Sequence, residues 1–189
     1  MVDFRINMMS CKGATLIQPS IAFESEYLSM AEEFWAKESW VAGENRFQND
    51  RDLIENSFPA YIRRLDEENQ NSGLKPGYVP STTFWLMTND TQIIGESRLR
   101  HWLTTSLEHE GGHIGYVIRP SARRKGYGTR ILALTLERAR DLGLNRVLLT
   151  CDTDNIGSAR VIEQNGGKLA SQGISNSSGK PISRYWIDF

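Results

Sequence analysis

Ile118-Arg-Pro-Ser-Ala-Arg-Arg-Lys-Gly-Tyr-Gly-Thr-Arg130 is the stretch on which the reading of this chain turns. It joins a strand-like run, His113 to Ile118, to a helix-like run, Gly128 to Leu142. Three successive cations and two glycines fill the junction, Arg123-Arg124-Lys125-Gly126-Tyr127-Gly128. A glycine-bearing turn that opens a helix aims unpaired backbone N–H groups and the positive end of the helix dipole at one point, which suits a phosphate. Glycine lets the main chain approach a ligand where a Cβ would collide. The dipole disfavours cations at a helix start, so three of them there point to an anionic ligand. The junction therefore reads as a binding loop for a phosphorylated cofactor.

Neither common phosphate-loop pattern applies. A P-loop carries its Lys after the second glycine, whereas Lys125 precedes the first. A dinucleotide fingerprint needs a third glycine three residues after the second, and Ile131 stands there. What remains is Arg-x-x-Gly-x-Gly at Arg123, Gly126 and Gly128. Beyond the helix come Gly143, a short apolar strand from Arg146 to Cys151, the run Asp152-Thr-Asp-Asn155, and a second short helix ending at Gly166-Gly167.

This succession of strand, loop, helix, strand, Asn and helix resembles the GNAT superfamily of N-acetyltransferases over about residues 80–189, most specifically 113–170. The resemblance implies an α/β fold with a mixed, mostly antiparallel central sheet flanked by helices, and acetyl-CoA as co-substrate with no metal. It puts the pyrophosphate on the amides of Arg124, Lys125, Gly126, Tyr127, Gly128 and Thr129, with Arg123 or Arg124 adding charge. It puts the pantetheine arm and the thioester carbonyl on the strand edge at Val117 and Ile118, where an N–H would also hold the developing oxyanion. Asn155 matches the family's Asn near the pantetheine arm, although Asp152 to Asn155 are all good helix caps in their own right.

The implied acceptor is an amine. At pH 7 an amine of pKa ~10.4 is neutral in only about 1 molecule in 2,500, so a base would help. His113, ten residues before Arg123, occupies a spacing at which some similar sequences carry Glu. Its alternative is a histidine satisfied by structure beside Gly111-Gly112. Tyr116 lies on the opposite side of that strand, so one of the pair faces the acetyl group. Glu96 and His101 are weaker candidates. In one respect the chain departs from the family, which often places a proton-donating Tyr seven residues after the Asn. Ile162 stands there, and the general acid is open.

The rest of the chain sets bounds. A length of 189 residues, 39% hydrophobic and 24% charged, suits one soluble globular domain. Residues 1–14 read as a loose arm and 15–189 as the single GNAT domain. Net charge of −1 argues against a general nucleic-acid binder, despite eight Lys/Arg against two Asp/Glu between Arg119 and Arg146. No run approaches the ~20 apolar residues of a membrane span, and no signal-peptide core is present, so a cytoplasmic protein is expected. Cys11 and Cys151 make no disulfide framework, and Cys151 reads as a core residue. The sequence does not set the oligomeric state; a homodimer, the commonest soluble assembly, is the reference expectation.

Helical spacing predicts a helix from Phe23 to about Lys37 and a second carrying Ile54, Phe58, Tyr61, Ile62 and Leu65, kinked or broken near Pro59. Ala14–Gln18, Thr82–Met87, Ile93–Leu103, Gly167–Ser171 and Arg184–Ile187 read as strands, with Asn89-Asp90 as a hairpin turn and 104–112 as a polar loop. Of the aromatic residues beside the expected acceptor pocket, most read as core, and Tyr78 as the one to touch a ligand. Seven acids against four bases between Glu44 and Glu68 could attract a cationic acceptor, a mild excess that a solvated surface explains equally well. The expected activity is direct acetyl transfer from acetyl-CoA to a primary amine, a small molecule before a protein. The competing expectation is a non-catalytic acyl-CoA-binding module.

Overall fold

A computed structural model of the chain describes residues 13–37, 43–74, 76–88 and 91–189. Cys11, Trp40, the Asn89-Asp90 turn and most of the N-terminal arm lie outside the described residues. Strands β1 (Thr15–Ile17), β2 (Ser81–Met87), β3 (Ile93–Arg100) and β4 (Ile114–Ile118) form an antiparallel sheet in that order. Strands β5 (Arg146–Asp152), β7 (Pro181–Asp188) and β6 (Lys168–Ile174) form a second one. The helices are α1 (Glu24–Trp35), α2 (Asn45–Asn49), α3 (Arg51–Asn56), α4 (Phe58–Asn69), α5 (Thr105–His109), α6 (Tyr127–Asp141) and α7 (Ile156–Gln164).

Period-two alternation on β2 divides the core. Trp85 and Met87 pack with Tyr27, Phe34, Phe47, Phe58 and Tyr61 from α1, α2 and α4. Phe84 and Leu86 turn the other way, toward Leu132, Leu136 and Ile131 of α6. Both layers are fully buried around Trp85, Phe34 and Ile131. The sheet is thus sandwiched between an N-terminal helical layer and α6.

The expected second helix is two, because Ser57 leaves the helical region at φ −154° and Pro59 falls in the first turn of α4, where its missing N–H is no loss. The loop 104–112 contains the short helix α5. Its signal was in the sequence: Thr104 caps the helix through a bond from Leu107 N–H at 3.3 Å.

The two sheets meet at one place. His113 N–H donates to Leu148 O at 2.7 Å, Leu148 N–H donates to His113 Nδ1 at 2.9 Å, and Gly111 N–H donates to Thr150 Oγ1 at 3.0 Å. Gly112 sits at φ +62°, and a Cβ there would fall 2.4 Å from Leu148 O, so only glycine lets the strands touch. Beyond this junction β4 and β5 share no ladder, and a wedge opens between them toward Ile118 and Asp152.

Candidate active site

The wedge widens into a cleft of about 770 Å³ reaching from Asn155 and Tyr116 to Arg64 and Tyr78. Register decides what β4 offers it. Glu96 pairs with Val117 and Arg98 with Gly115, while Arg119 N–H donates to Ile94 O and Arg100 N–H to His113 O. By antiparallel alternation the amides of Gly115 and Val117 face β3, and those of Ile114, Tyr116 and Ile118 face the wedge. Of the expected pair Val117 and Ile118, only Ile118 therefore turns its backbone outward from the ladder, and its carbonyl accepts from Arg123 Nε at 3.1 Å. Val117 contributes its side chain to the cleft wall.

At the mouth of the wedge, Arg124 at φ +62° and Gly126 at φ +84° turn the chain into α6. No side chain caps this helix, and its first intrahelical bond runs from Arg130 N–H to Gly126 O, so the Gly128 and Thr129 amides precede it. The side chains divide. Arg124 and Lys125 are exposed, and Lys125 Nζ donates to Ser121 O at 3.0 Å. Tyr127 is buried in the core, so it offers the loop only its backbone. Thr129 Oγ1 donates to Gln164 Oε1 at 2.8 Å.

Arg123 departs from its expected part: besides holding Ile118 O it pairs with the buried Glu44, its guanidinium 5.9 Å from the Phe34 ring centroid. It braces the loop, leaving Arg124 and Lys125 as the exposed cations. Gly128 has its own reason to be glycine, because a Cβ there would stand 3.2 Å from Val161 Cγ2 of α7. Asn155 caps α7 through its Oδ1, which accepts from Ser158 N–H at 3.0 Å, and it also lines the cleft.

The two catalytic candidates separate. His113 does not line the cleft, and its Nδ1 already accepts the Leu148 amide, which leaves the neutral ring's proton on Nε2. Burial, aided by Arg100 and Arg146, pulls its pKa down to about 4. The structure lends the expected base no support: the lone pair is occupied and the ring binds the two sheets together. Glu96 is engaged too, by Tyr27 Oη at 2.8 Å, Trp85 Nε1 at 3.1 Å and Arg46 Nη1 at 3.1 Å. His101 bonds Thr82 Oγ1 at 2.9 Å and lies off the cleft.

Tyr116 remains. Its hydroxyl is buried in the wedge with no hydrogen-bond partner among the described residues, and burial pushes its pKa up to about 12. Ser158 stands beside it and pulls the other way, yet the pair lacks hydrogen-bond geometry. Cys151, also on the cleft wall, is pushed up to about 11 by burial and then by Asp152 and Glu163.

The acceptor half of the cleft holds a feature the sequence reading missed. Glu96, Arg98 and Arg100 alternate on one face of β3, and α2 and α4 lay Arg46, Asp50, Arg64 and Glu68 over them. Arg64 clasps Asp50 at 2.7 and 2.6 Å, and Arg98 Nη2 reaches Glu68 at 2.8 Å. The local signal was three ionised residues at i, i+2 and i+4 of a strand that begins Ile93-Ile94, a pattern that asks for buried partners. Tyr78 stands 63% exposed at the rim, where a ligand would pass it.

The wedge thus ends at a glycine-turned helix start beside the outward backbone of β4. The chain matches the acetyltransferase (GNAT) domain over residues 26–168, well over half its length, and belongs to that family. Among solved structures, it is similar to the microcin C7 self-immunity acetyltransferase MccE in complex with acetyl-CoA and AMP. The TM-score is 0.67 at 17% identity, covering 94% of this chain and 93% of that one. It is equally similar to RimL, a ribosomal L7/L12 alpha-N-protein acetyltransferase in complex with coenzyme A, at TM-score 0.67, 13% identity and coverage of 95% and 96%. A spermidine N-acetyltransferase chimera from Vibrio cholerae and hSSAT gives TM-score 0.60, 13% identity and coverage of 94% and 95%. No curated protein sequence matches the chain. These likenesses carry the fold, a GNAT one as the sequence implied.

Proposed function

We propose that this GNAT protein transfers the acetyl group of acetyl-CoA to a primary amine, directly and without an acetyl-enzyme, with a small molecule favoured as acceptor. The observation that carries the reading is the buried, unpartnered Tyr116 hydroxyl inside the β4–β5 wedge, since an orphaned buried donor calls for a ligand atom. The Gly128 and Thr129 amides, with Arg124 and Lys125, would hold the pyrophosphate, and the outward amides of β4 would hold the pantetheine arm. Asn155 would close the wedge from the β5 side. When bound, acetyl-CoA supplies an activated acetyl thioester.

Tyr116 holds its proton throughout the neutral range, so its Oη can hydrogen-bond the departing sulfur. It passes that proton on while taking the surplus one from the newly bonded nitrogen, which balances the transfer. Ile162 is then no defect, because the Tyr116 phenol, on the same cleft, would serve as the proton donor. Arg98 and Arg100 on the cleft floor disfavour an ammonium, so a bound amine gives up its first proton more readily than in water. Cys151 keeps its proton at neutral pH and lacks a histidine partner, which supports direct transfer over a thioacyl-enzyme.

The test is thermal unfolding with acetyl-CoA at roughly 100 times its dissociation constant, followed by thiol release with a panel of amines. Linkage predicts about 2.7 kcal/mol of stabilisation, a melting shift of roughly 5–10 °C for a chain of this size. No shift would overturn the cofactor assignment. A shift without thiol release from any amine would favour the acyl-CoA-binding module.

A further inference from the structure

The exposed Glu67 aside, the carboxylates of the acceptor half are answered from within the protein, and one of its arginines, Arg100, is not. Glu96 is held by Tyr27, Trp85 and Arg46, Asp50 by Arg64, and Glu68 by Arg98. Glu110, further along the wall, accepts from the hydroxyls of Ser175 and Ser177 and the Asn176 amide. Against this, among the described residues Arg46 Nη2 is buried with no hydrogen-bond acceptor, although the same guanidinium pairs with Glu96 and Asp50, and Arg64 Nε stands 3.7 Å from Glu68. Arg100 has no carboxylate among the described residues; its Nη1 meets only the Gly111 and Gly112 carbonyls, at 3.1 and 2.8 Å. A guanidinium largely buried without an anion, as Arg100 is, is an expensive arrangement unless a ligand completes it, and Arg46 Nη2 adds an unfilled donor on the same cleft.

Burial, then Arg98 and Arg46, press the Arg100 pKa down to about 10. All three side chains line the same cleft, one strand away from the exposed Gly115 on β4. The planar fork of arginine suits a carboxylate or a phosphate.

We infer that Arg46 and Arg100 bind an anionic group of the acceptor, so that the amine acetylated here also carries a carboxylate or a phosphate. This rests on the acetyl-transfer reading above. It makes an amino acid or an aminoalkyl phosphate a better acceptor than a polyamine, whose second cation would face Arg100.

The experiment measures kcat/KM by thiol release for glycine against glycinamide, O-phosphoethanolamine against ethanolamine, and spermidine. In parallel, calorimetric binding of N-acetylglycine and of N-acetylglycinamide needs no turnover. An anionic member should be favoured about tenfold or more, as one charged hydrogen-bonded contact of about 1.4 kcal/mol or above dictates. The carboxylate and phosphate pairs distinguish the two anions. Arg100→Gln should remove most of that preference through KM while leaving acetyl-CoA affinity in place, and Arg100→Lys should restore part of it.

Equal rates across each pair, a preference for spermidine, or a preference that survives Arg100→Gln overturns the anion site while leaving acetyl transfer standing. Arg100-dependent binding of N-acetylglycine with no thiol release from any amine does the reverse.

Discussion

The two halves of the cleft are built on opposite principles. The cofactor half is local in sequence: β4, the glycine turn, α6, β5 and α7 follow one another, and short-range constraints specify each. Gly126 at φ +84° and Gly112 at φ +62° are needed for backbone reasons, and Asn155 for a cap. The acceptor half is assembled at long range, with Arg46 meeting Glu96 and Glu68 meeting Arg98 across 50 and 30 positions. A local motif can be shared by a whole family because it serves one common co-substrate. A long-range cluster carries what distinguishes one member from another.

The sharpest way to break this contrast is at the turn. Gly126→Glu places a side chain in a left-handed backbone position and a negative charge at the expected pyrophosphate site, and acetyl-CoA binding should be lost altogether in calorimetry. Gly126→Ala separates the two effects. It should cost about 1 kcal/mol of stability from backbone strain and retain weakened binding. Unchanged affinity in both variants would move the cofactor off this loop.

The second effect belongs to the other half. Arg46→Met leaves Glu96 buried with one cation fewer, and breaking a buried pair in this way typically costs about 3–5 kcal/mol. Urea denaturation should show a loss of that order, whereas Arg51→Met, in an exposed i,i+4 pair on α3, should change little. Equal losses would mean that the cluster is no better buried than the surface.

How much of this was readable follows the same division. The helix expected from Gly128 to Leu142 runs from Tyr127 to Asp141, and the strand expected from Arg146 to Cys151 extends one residue further. Amphipathic period and glycine stops are sufficient there. Composition alone left Glu44–Glu68 open between a solvated surface and an acceptor-attracting patch, because it has no memory of distance. Seven acids against four bases look solvated until Arg98 and Arg100 arrive from β3. Arg123 shows a related limit, since a cation beside a phosphate loop looks like a ligand contact unless Glu44 is known to be underneath it.

A smaller effect sharpens the chemistry of the wedge. Tyr116→Phe removes only the orphaned hydroxyl, so acetyl-CoA affinity and stability should hold. Turnover should fall by about 10²-fold, the lower end of what a positioned proton donor contributes. A wild-type rate in this variant would return the proton to Ser158 or to water.

The last effect concerns His113, where the halves join. Its folded pKa of about 4 lies below the ordinary 6.5, so folding favours the neutral ring. As pH falls through 6.5 toward 4 the unfolded chain takes the proton first, and stability is lost across that window while remaining intact above it. His113→Gln keeps an acceptor for Leu148 N–H but cannot titrate. Denaturation at about pH 5 and about pH 7.5 should therefore show a smaller difference in the variant than in the wild type. The rate profile near neutrality should be the same in both, because a ring that gives up its proton at about 4 cannot shape it. A wild-type limb near 6.5 that vanishes in His113→Gln would restore the histidine as the base, and with it a catalytic role for the junction of the sheets.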